Sequence, residues 1–550
     1  MTTKIEPSQA QTELIYPSSN SADDRAARTR SSMLWAAYGD ALGFISELTD
    51  EKGLRRRTRG APLNRLMAWT RRVGGRGGVN VELPAGCWSD DTQLRMAVSR
   101  SIGNHGFDVE TFARIELPVW PSYALGGGRA SKAAAKNLAA HNTPWYANTF
   151  SGWHDAGGNG AAMRIQPHVW ASPDLQDGYL LDVIADSICT HSHPRAILGA
   201  CFHASTLAHC LRSGTPPTLD ECAEIAVGLG DVHSLMESHQ SLSTMWVGLW
   251  ERAAEKSFRS QWQTTVHELC NAIHQAAAAT DGAEHFADAY PAVCNQLELQ
   301  AEHQKGSGIL TPVVAAALAA TAPNPHEGML IAATELGTDT DTIATMAGAL
   351  LGACNVTSQP PEDPLDSAYL LAEADRLTAF SQGQQTDSYQ YPDILTWAAP
   401  QAQADALVAD NGQLAVEGLG PVKALDIEMS WSSRKDFAWQ WVQADFGQTL
   451  LIKRRPEVRL QSMCNTSEPP PAPSSTARSR KPVRADKQTS CPPSELPLDR
   501  GLDFDAAVRH AKEHISNDSQ LGYTVRRAAR DGTINDLVDL VKTLRDDLRR

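Results

Sequence analysis

Residues 30–385 carry an almost continuous succession of helical periodicity, and this feature limits the possible folds more than any other. Segments such as SSMLWAAYGDALG, DTQLRMAVSRSI, PRAILGACFHASTLAHCLR and SLMESHQSLSTMWVGLWERAAEK repeat apolar residues every three or four positions. That spacing lines one face of an α-helix, whereas the strict alternation that marks a half-buried strand is scarce. Glycine clusters at GGRGG (74–78), GGG (126–128) and GGNG (157–160) cut the run into separate elements. The expectation is a mostly α-helical domain over residues 30–385.

The flanks read differently. Residues 1–29 are polar, lack the apolar core of a secretory signal and are expected to be a disordered tail. Residues 386–464, with FAWQWVQADFGQTLLIKRRP at 437–456, change to aromatic text that fits a short α+β extension of unspecified fold. Residues 465–500 are rich in Pro, Ser and basic residues, the composition of a flexible linker. Residues 501–550 read as a small helical module, a candidate for docking a protein partner, with Ile534, Leu537, Val538, Val541 and Leu544 on one apolar face. The longest apolar stretches, such as ILTPVVAAALAATA (309–322), fall short of the ~20 residues a membrane helix needs, so no membrane association is expected. Ten cysteines without a C-x-x-C pair point to reduced thiols and a cytoplasmic setting. A net charge of −15 argues against broad nucleic-acid binding, although a local basic patch stays open.

The chemistry concentrates at three acidic helix starts. In ELGTDTDTIATMAGALLGA (335–353), Asp339 and Asp341 alternate with Thr338, Thr340 and Thr342 ahead of an apolar helix. Thr338 or a neighbour can cap that helix, and carboxylates at its first turn suit the helix dipole. GCWSDDTQLRMAV (86–98) repeats the device with Ser89, Asp90 and Asp91, and YGDALGFISE (38–47) adds Asp40 and Glu47. Each alone reads as an ordinary acidic cap. Together, beside small residues that permit close packing, they suggest convergence on a hard cation, because oxygen-only ligands suit Mg²⁺ or Mn²⁺.

Glycine loops supply a second element. LGGGRASKAAAKNL (125–138) and GGNGAAMRIQPHV (157–169) place small residues where backbone N–H groups can face a phosphate. In THSHPRAILGA (190–200), His191 and His193 precede another helix as a metal pair, a ligand contact or a cap.

The ordered set G-D-A-L-G…E, W-S-D-D-T, G-N-G-A-A-M-R, T-H and G-T-D-T-D-T-I-A resembles the ADP-ribosylglycohydrolases, relatives of the dinitrogenase-reductase-activating glycohydrolase and the ADP-ribosyl-acceptor hydrolases. The resemblance covers roughly residues 30–360. It implies a compact orthogonal all-α bundle with two Mg²⁺ or Mn²⁺ ions at the bottom of a cleft for ADP-ribose. On this sequence the implied metal ligands are Ser89, Asp90, Asp91, Asp339, Asp341 and Thr342. The implied catalytic group is Glu47, working with Asp90 and Asp91. The implied substrate contacts are Gly158, Asn159, Gly160, Met163, Arg164 and His191, with a looser match at Gly126, Gly127 and Gly128.

The activity this resemblance implies is metal-dependent cleavage of the glycosidic bond between ADP-ribose and an acceptor, with arginine of a modified protein as the first expectation. Serine-linked, O-acetyl or nucleic-acid adducts, and a non-catalytic ADP-ribose-binding module, are the alternatives. Ser89 replaces the commoner threonine but keeps the hydroxyl. The basic stretch LRRRTRG…WTRRVGGRGG (54–78) lies outside the motif set and reads as a loop over the cleft, a contact for an acidic partner or a solvated charged loop.

Overall fold

Small residues set the centre of the molecule, a computed structural model that describes residues 22–461 apart from 142, 395, 411 and 458, together with residues 508 and 539–544. Its principal helices are α1 (Ala22–Phe44), α2 (Asp90–Arg100), α3 (Arg129–His141), α4 (Pro194–Ser213), α5 (Phe258–Asp281), α6 (Leu310–Thr321), α7 (Pro325–Thr334), α8 (Thr340–Cys354) and α9 (Ser367–Ser381). Helices α1 and α8 lie against each other at the core. A methyl group at Gly39 would collide with the Ala344 carbonyl, and one at Gly348 with the Trp35 carbonyl. Hydroxyls stitch the same seam. Ser32 Oγ donates to Ala349 O at 2.7 Å, Thr345 Oγ1 to Ala36 O at 2.8 Å and Thr340 Oγ1 to Gly43 O at 2.9 Å. Residues Thr340–Ala353 are all buried, as expected of a helix that is apolar on every side.

Helix α1 begins at Ala22, ahead of the expected domain start at residue 30. The charges that made this stretch look like a tail are used inward. Arg25 donates to the carbonyls of Val169, Trp170 and Ser172, and Arg28 to that of Ala353. The expected tail over residues 1–21 and the linker over 465–500 lie outside the described residues.

The basic stretch holds a β-hairpin, β1 (Trp69–Val73) and β2 (Val79–Leu83), with Val73 opposite Val79 at the tip. Trp69, Val73, Val81 and Leu83 are buried while Thr70, Asn80 and Glu82 are exposed, so the hairpin has an inner and an outer face. It is not a solvated loop.

The extension is likewise β-structure. Strands β3 (Leu407–Asp410), β4 (Gln413–Val416), β5 (Gly420–Ala424), β6 (Ser430–Trp431), β7 (Ala438–Ala444), β8 (Thr449–Arg454) and β9 (Arg459–Gln461) form one sheet in the order β8-β7-β5-β4-β3-β9, with β6 also on β7. All pairs are antiparallel except β9 with β3. A buried cation ties the sheet to the helices. Arg100 makes a bidentate pair with Glu116 at 2.7 Å, and its Nη1 also donates to Tyr369 Oη and to Gln448 Oε1 at 2.6 Å. Asp366 accepts both the backbone N–H and the hydroxyl of Thr449.

Residues 467–550 form a separate unit, of which residue 508 and residues 539–544 are described. There Leu540 and Leu544 are buried, but Val541, expected on the apolar face, is 49% exposed. Ile534, Leu537 and Val538 lie outside the described residues. Among the described residues no helix is long and apolar enough to cross a membrane, and the eight cysteines are unbridged.

Candidate active site

Two acidic helix starts and one helix end meet at a cleft of about 1420 Å³, because YGDALGFISE closes α1 and does not open a helix as its acids had suggested. Glu47, Asp90, Asp91, Asp339, Asp341 and Thr342 all line it, although they come from the end of α1, the start of α2 and the start of α8. Burial and the neighbouring charges of Glu47 and Asp40 push the Asp90 carboxyl up to about 7. Asp91, buried beside Asp40, Asp90 and Asp339, is held well above the usual carboxylate range. Asp341 is raised by burial and by Glu47, Asp91 and Asp339, and Asp339 by burial, against the opposing hydrogen bond from Asn159. Mutual elevation of this kind marks carboxylates crowded within interaction range.

Asp339 occupies the N-cap position of α8 but makes no side-chain cap bond. Its Oδ2 accepts from Asn159 Nδ2 at 2.7 Å instead, which links the late acidic motif to the GGNG loop. The expected cap at Thr338 does not form, because its hydroxyl donates back to Glu335 O at 2.8 Å. Thr340 binds Gly43 O, so the two threonines shape the turn and the aspartates stay turned to the cleft.

Both glycine loops line the cleft, at Gly126, Gly127 and Gly128 and at Gly158, Asn159 and Gly160, together with Met163 and His191. Gly126 is required by proximity, since a side-chain carbon there would collide with Asp90 Oδ1. Burial holds His191 near 3, so its ring is neutral at physiological pH, with Nδ1 2.7 Å from Thr190 Oγ1.

The sequence profile of the ADP-ribosylglycohydrolase family matches residues 21–387, about two thirds of the chain. This chain belongs to the ADP-ribosylglycohydrolase family. One solved structure, described as an ADP-ribosylglycohydrolase-related protein complex, is 21% identical over 65% of this chain and 99% of its own, with a TM-score of 0.41. No curated protein matches the chain. Membership makes the protein a hydrolase of the glycohydrolase type with the family's all-α fold, to which the strands of residues 407–461 are an addition beyond the matched region.

Within this glycohydrolase Arg164, Ser89 and Asp40 have inward roles, and His193 lines the cleft as a helix cap. Arg164 is fully buried and pairs with Asp186, while its other donors hold Gly160 O and Thr190 Oγ1. It braces the GGNG loop and His191 from behind and does not line the cleft. Ser89, also fully buried, caps α2 by accepting from Asp91 N at 3.2 Å. Asp40 accepts from the N–H groups of Ser89 and Thr92, each at 2.9 Å, and so serves as a through-space cap that fixes the Asp90–Asp91 pair. His193 takes the capping alternative, its Nδ1 accepting from Arg195 N at 3.1 Å.

Arg71 is one cleft residue outside the motif set. It projects from β1 into the cleft, where Nη1 lies 3.0 Å from Glu47 Oε2 and the guanidinium sits 4.2 Å from the Phe44 ring centroid. The only signal for it is the basic stretch, readable as a loop over the cleft.

Among the described residues no group of three or more His, Cys, Asp or Glu side chains is placed to hold a metal ion. The donor set nevertheless fits a hard divalent cation. Asp91 Oδ2 is buried with no hydrogen-bond partner among the described residues, and uncompensated buried carboxylates are costly. The residues able to hold such ions are Asp90, Asp91, Asp339, Asp341 and Thr342, all oxygen donors.

Proposed function

We propose that this glycohydrolase hydrolyses the bond between the anomeric carbon of ADP-ribose and an acceptor on a modified protein, with arginine as the acceptor residue. The observation that carries the reading is the crowding of Asp90, Asp91, Asp339 and Asp341 beside Glu47 at one end of a cleft with glycine loops along it. Two Mg²⁺ or Mn²⁺ ions held by Asp90, Asp91, Asp339, Asp341 and Thr342 would supply Lewis-acid polarisation of water and ribose oxygens.

The chain's own groups do the rest. Glu47, oriented by Arg71, takes a proton from the attacking water and returns one to the departing acceptor nitrogen. The Gly126–Gly128 loop offers backbone N–H groups to the diphosphate, whereas the Asn159 N–H is taken by Gly306 O, and Arg129, Lys132, Arg195 and Lys305 on the same cleft wall add positive charge for it. Neutral His191 offers a ring nitrogen beside Gly160 for a ribose or phosphate hydrogen bond.

A hydrolysis panel with defined ADP-ribosyl-arginine, ADP-ribosyl-serine and ADP-ribosyl-DNA tests this directly. Release of ADP-ribose from the arginine adduct in Mg²⁺ or Mn²⁺ supports the reading. Binding of ADP-ribose without release from any adduct would reduce the domain to a binding module.

A further inference from the structure

A second cavity, about 330 Å³, opens where the hairpin, the Gly126 loop and the C-terminal sheet meet. Arg71, Arg72, Lys132 and Lys453 line it, together with Trp439, and no acidic residue does. Four cations around one small cavity stand out in a chain of net charge −15. The cavity shares Arg71, Gly126 and Lys132 with the main cleft, and Arg71 is the partner of Glu47. It therefore adjoins the end of the cleft where the bond is to be broken.

The pocket is built, and its outer wall lies beyond the family region. Lys453 on β8 is held over the rings of Phe437 at 4.3 Å and Trp439 at 5.6 Å, which aims a compact ammonium without neutralising it. Trp439 is 6% exposed and packs on the hairpin tip at Gly74, where a side chain would collide with the indole; Gly74 also has φ +81°, a conformation glycine adopts without strain. Arg72 Nε donates to Gly75 O at 3.2 Å, so the tip is fixed from both sides.

We propose that this pocket is an acceptor subsite holding one anionic side chain, a phosphate or a carboxylate, that the modified protein carries next to its ADP-ribosylated residue. The inference rests on the glycohydrolase reading of the adjoining cleft. A volume of about 330 Å³ admits such a group together with the side chain that carries it, and the acidic character of the rest of the chain disfavours an extended polyanion. The C-terminal sheet thereby becomes a selectivity element, contributing Lys453 and Trp439 to a site otherwise made by the helical domain.

Two measurements on the full chain test this. In EDTA, inorganic phosphate should raise the melting temperature of the wild-type protein saturably, and both Lys453→Ala and Lys453→Glu should lose that rise. An equal rise in wild type and Lys453→Ala overturns the proposal, because the phosphate is then held elsewhere. In the second, ADP-ribosyl-arginine peptides differ only in a neighbouring phosphoserine, glutamate or alanine. Wild type should favour the two anionic peptides by about tenfold in kcat/KM, the worth of one charge-assisted contact. Lys453→Glu should abolish the preference while turning over the alanine peptide normally, and the phosphoserine and glutamate arms show which anion is preferred. Equal rates on the three peptides, weaker binding of ADP-ribose itself in Lys453→Ala, or an effect confined to a DNA adduct would each overturn the proposal. If no adduct is cleaved, the hydrolase reading falls alone, and the phosphate titration still decides for or against the pocket.

Discussion

Glu47 Oε2 and Arg71 Nη1 lie 3.0 Å apart, an ion pair that joins the end of the first core helix to a hairpin strand. Both side chains are more than four-fifths buried, and Arg57 fixes the same turn by donating to Glu47 O at 2.7 Å and Ile45 O at 2.9 Å. The candidate acid–base group is thus aimed by residues from a stretch that no motif marks.

Arg71→Ala should lower kcat by roughly ten- to a hundredfold, the scale of a mispositioned general acid or base. Arg71→Lys should recover only part of the loss, since an ammonium lacks the planar guanidinium that both pairs with Glu47 and stacks on Phe44. Steady-state kinetics on the preferred adduct, with circular dichroism as a control for folding, check both outcomes.

Gly126→Ala should displace the Asp90 carboxylate, because the added methyl group occupies the space of its Oδ1. Turnover should fall by at least about tenfold, and the divalent-ion concentration for half-maximal activity should rise, while the fold survives. Metal titration of the activity measures both.

The carboxylate cluster predicts a particular pH dependence of stability in the absence of divalent ions. Asp90 is raised from 3.8 to about 7, so between those values the folded chain binds more protons than the unfolded one, and stability falls as pH rises through that window. His191 and His203, lowered by burial to about 3, act in the opposite sense between about 3 and 6.5, where stability rises with pH. Above 6.5 only the carboxylates remain. Melting temperature in EDTA should therefore decline from pH 6.5 to 8, Mg²⁺ should reverse the decline, and Asp91→Asn should flatten it.

The local signals were the legible ones. Three- and four-residue periodicity marked the helical domain, and the G-D-A-L-G, S-D-D-T and D-T-D-T motifs stood out because each lies within a few residues at one end of a single helix. Arg71 was obscured because a short hairpin with a glycine tip, set among arginines, resembles a charged loop. Arg164 looked like a ligand contact because its partner Asp186 is distant in sequence and carries no motif. Asp40 looked like a member of the cation cluster because a cap donated across space from another helix leaves no mark in spacing. The sheet of residues 407–461 depends on long-range pairing, and β7 is buried at all but one position, so the usual alternation is missing.

Arg100→Ala should destabilise the protein by about 3–5 kcal/mol, because Glu116 would be left as an unpaired buried charge. The same substitution frees Gln448 from the core, so the sheet should loosen with the helices and unfold in one transition. Urea denaturation followed by tryptophan fluorescence and by far-UV circular dichroism measures the loss, and coincident curves confirm the single transition.

The central claim is that the acids gathered at the starts of α2 and α8 power the hydrolysis. Its most direct test is ADP-ribose release from a defined ADP-ribosylated substrate by wild type, Asp90→Ala and Asp339→Ala, in metal-buffered solution with and without Mg²⁺ or Mn²⁺. The account predicts turnover by wild type that chelation abolishes, and none by either variant, with native circular dichroism throughout. Full activity of either variant under those conditions would contradict it.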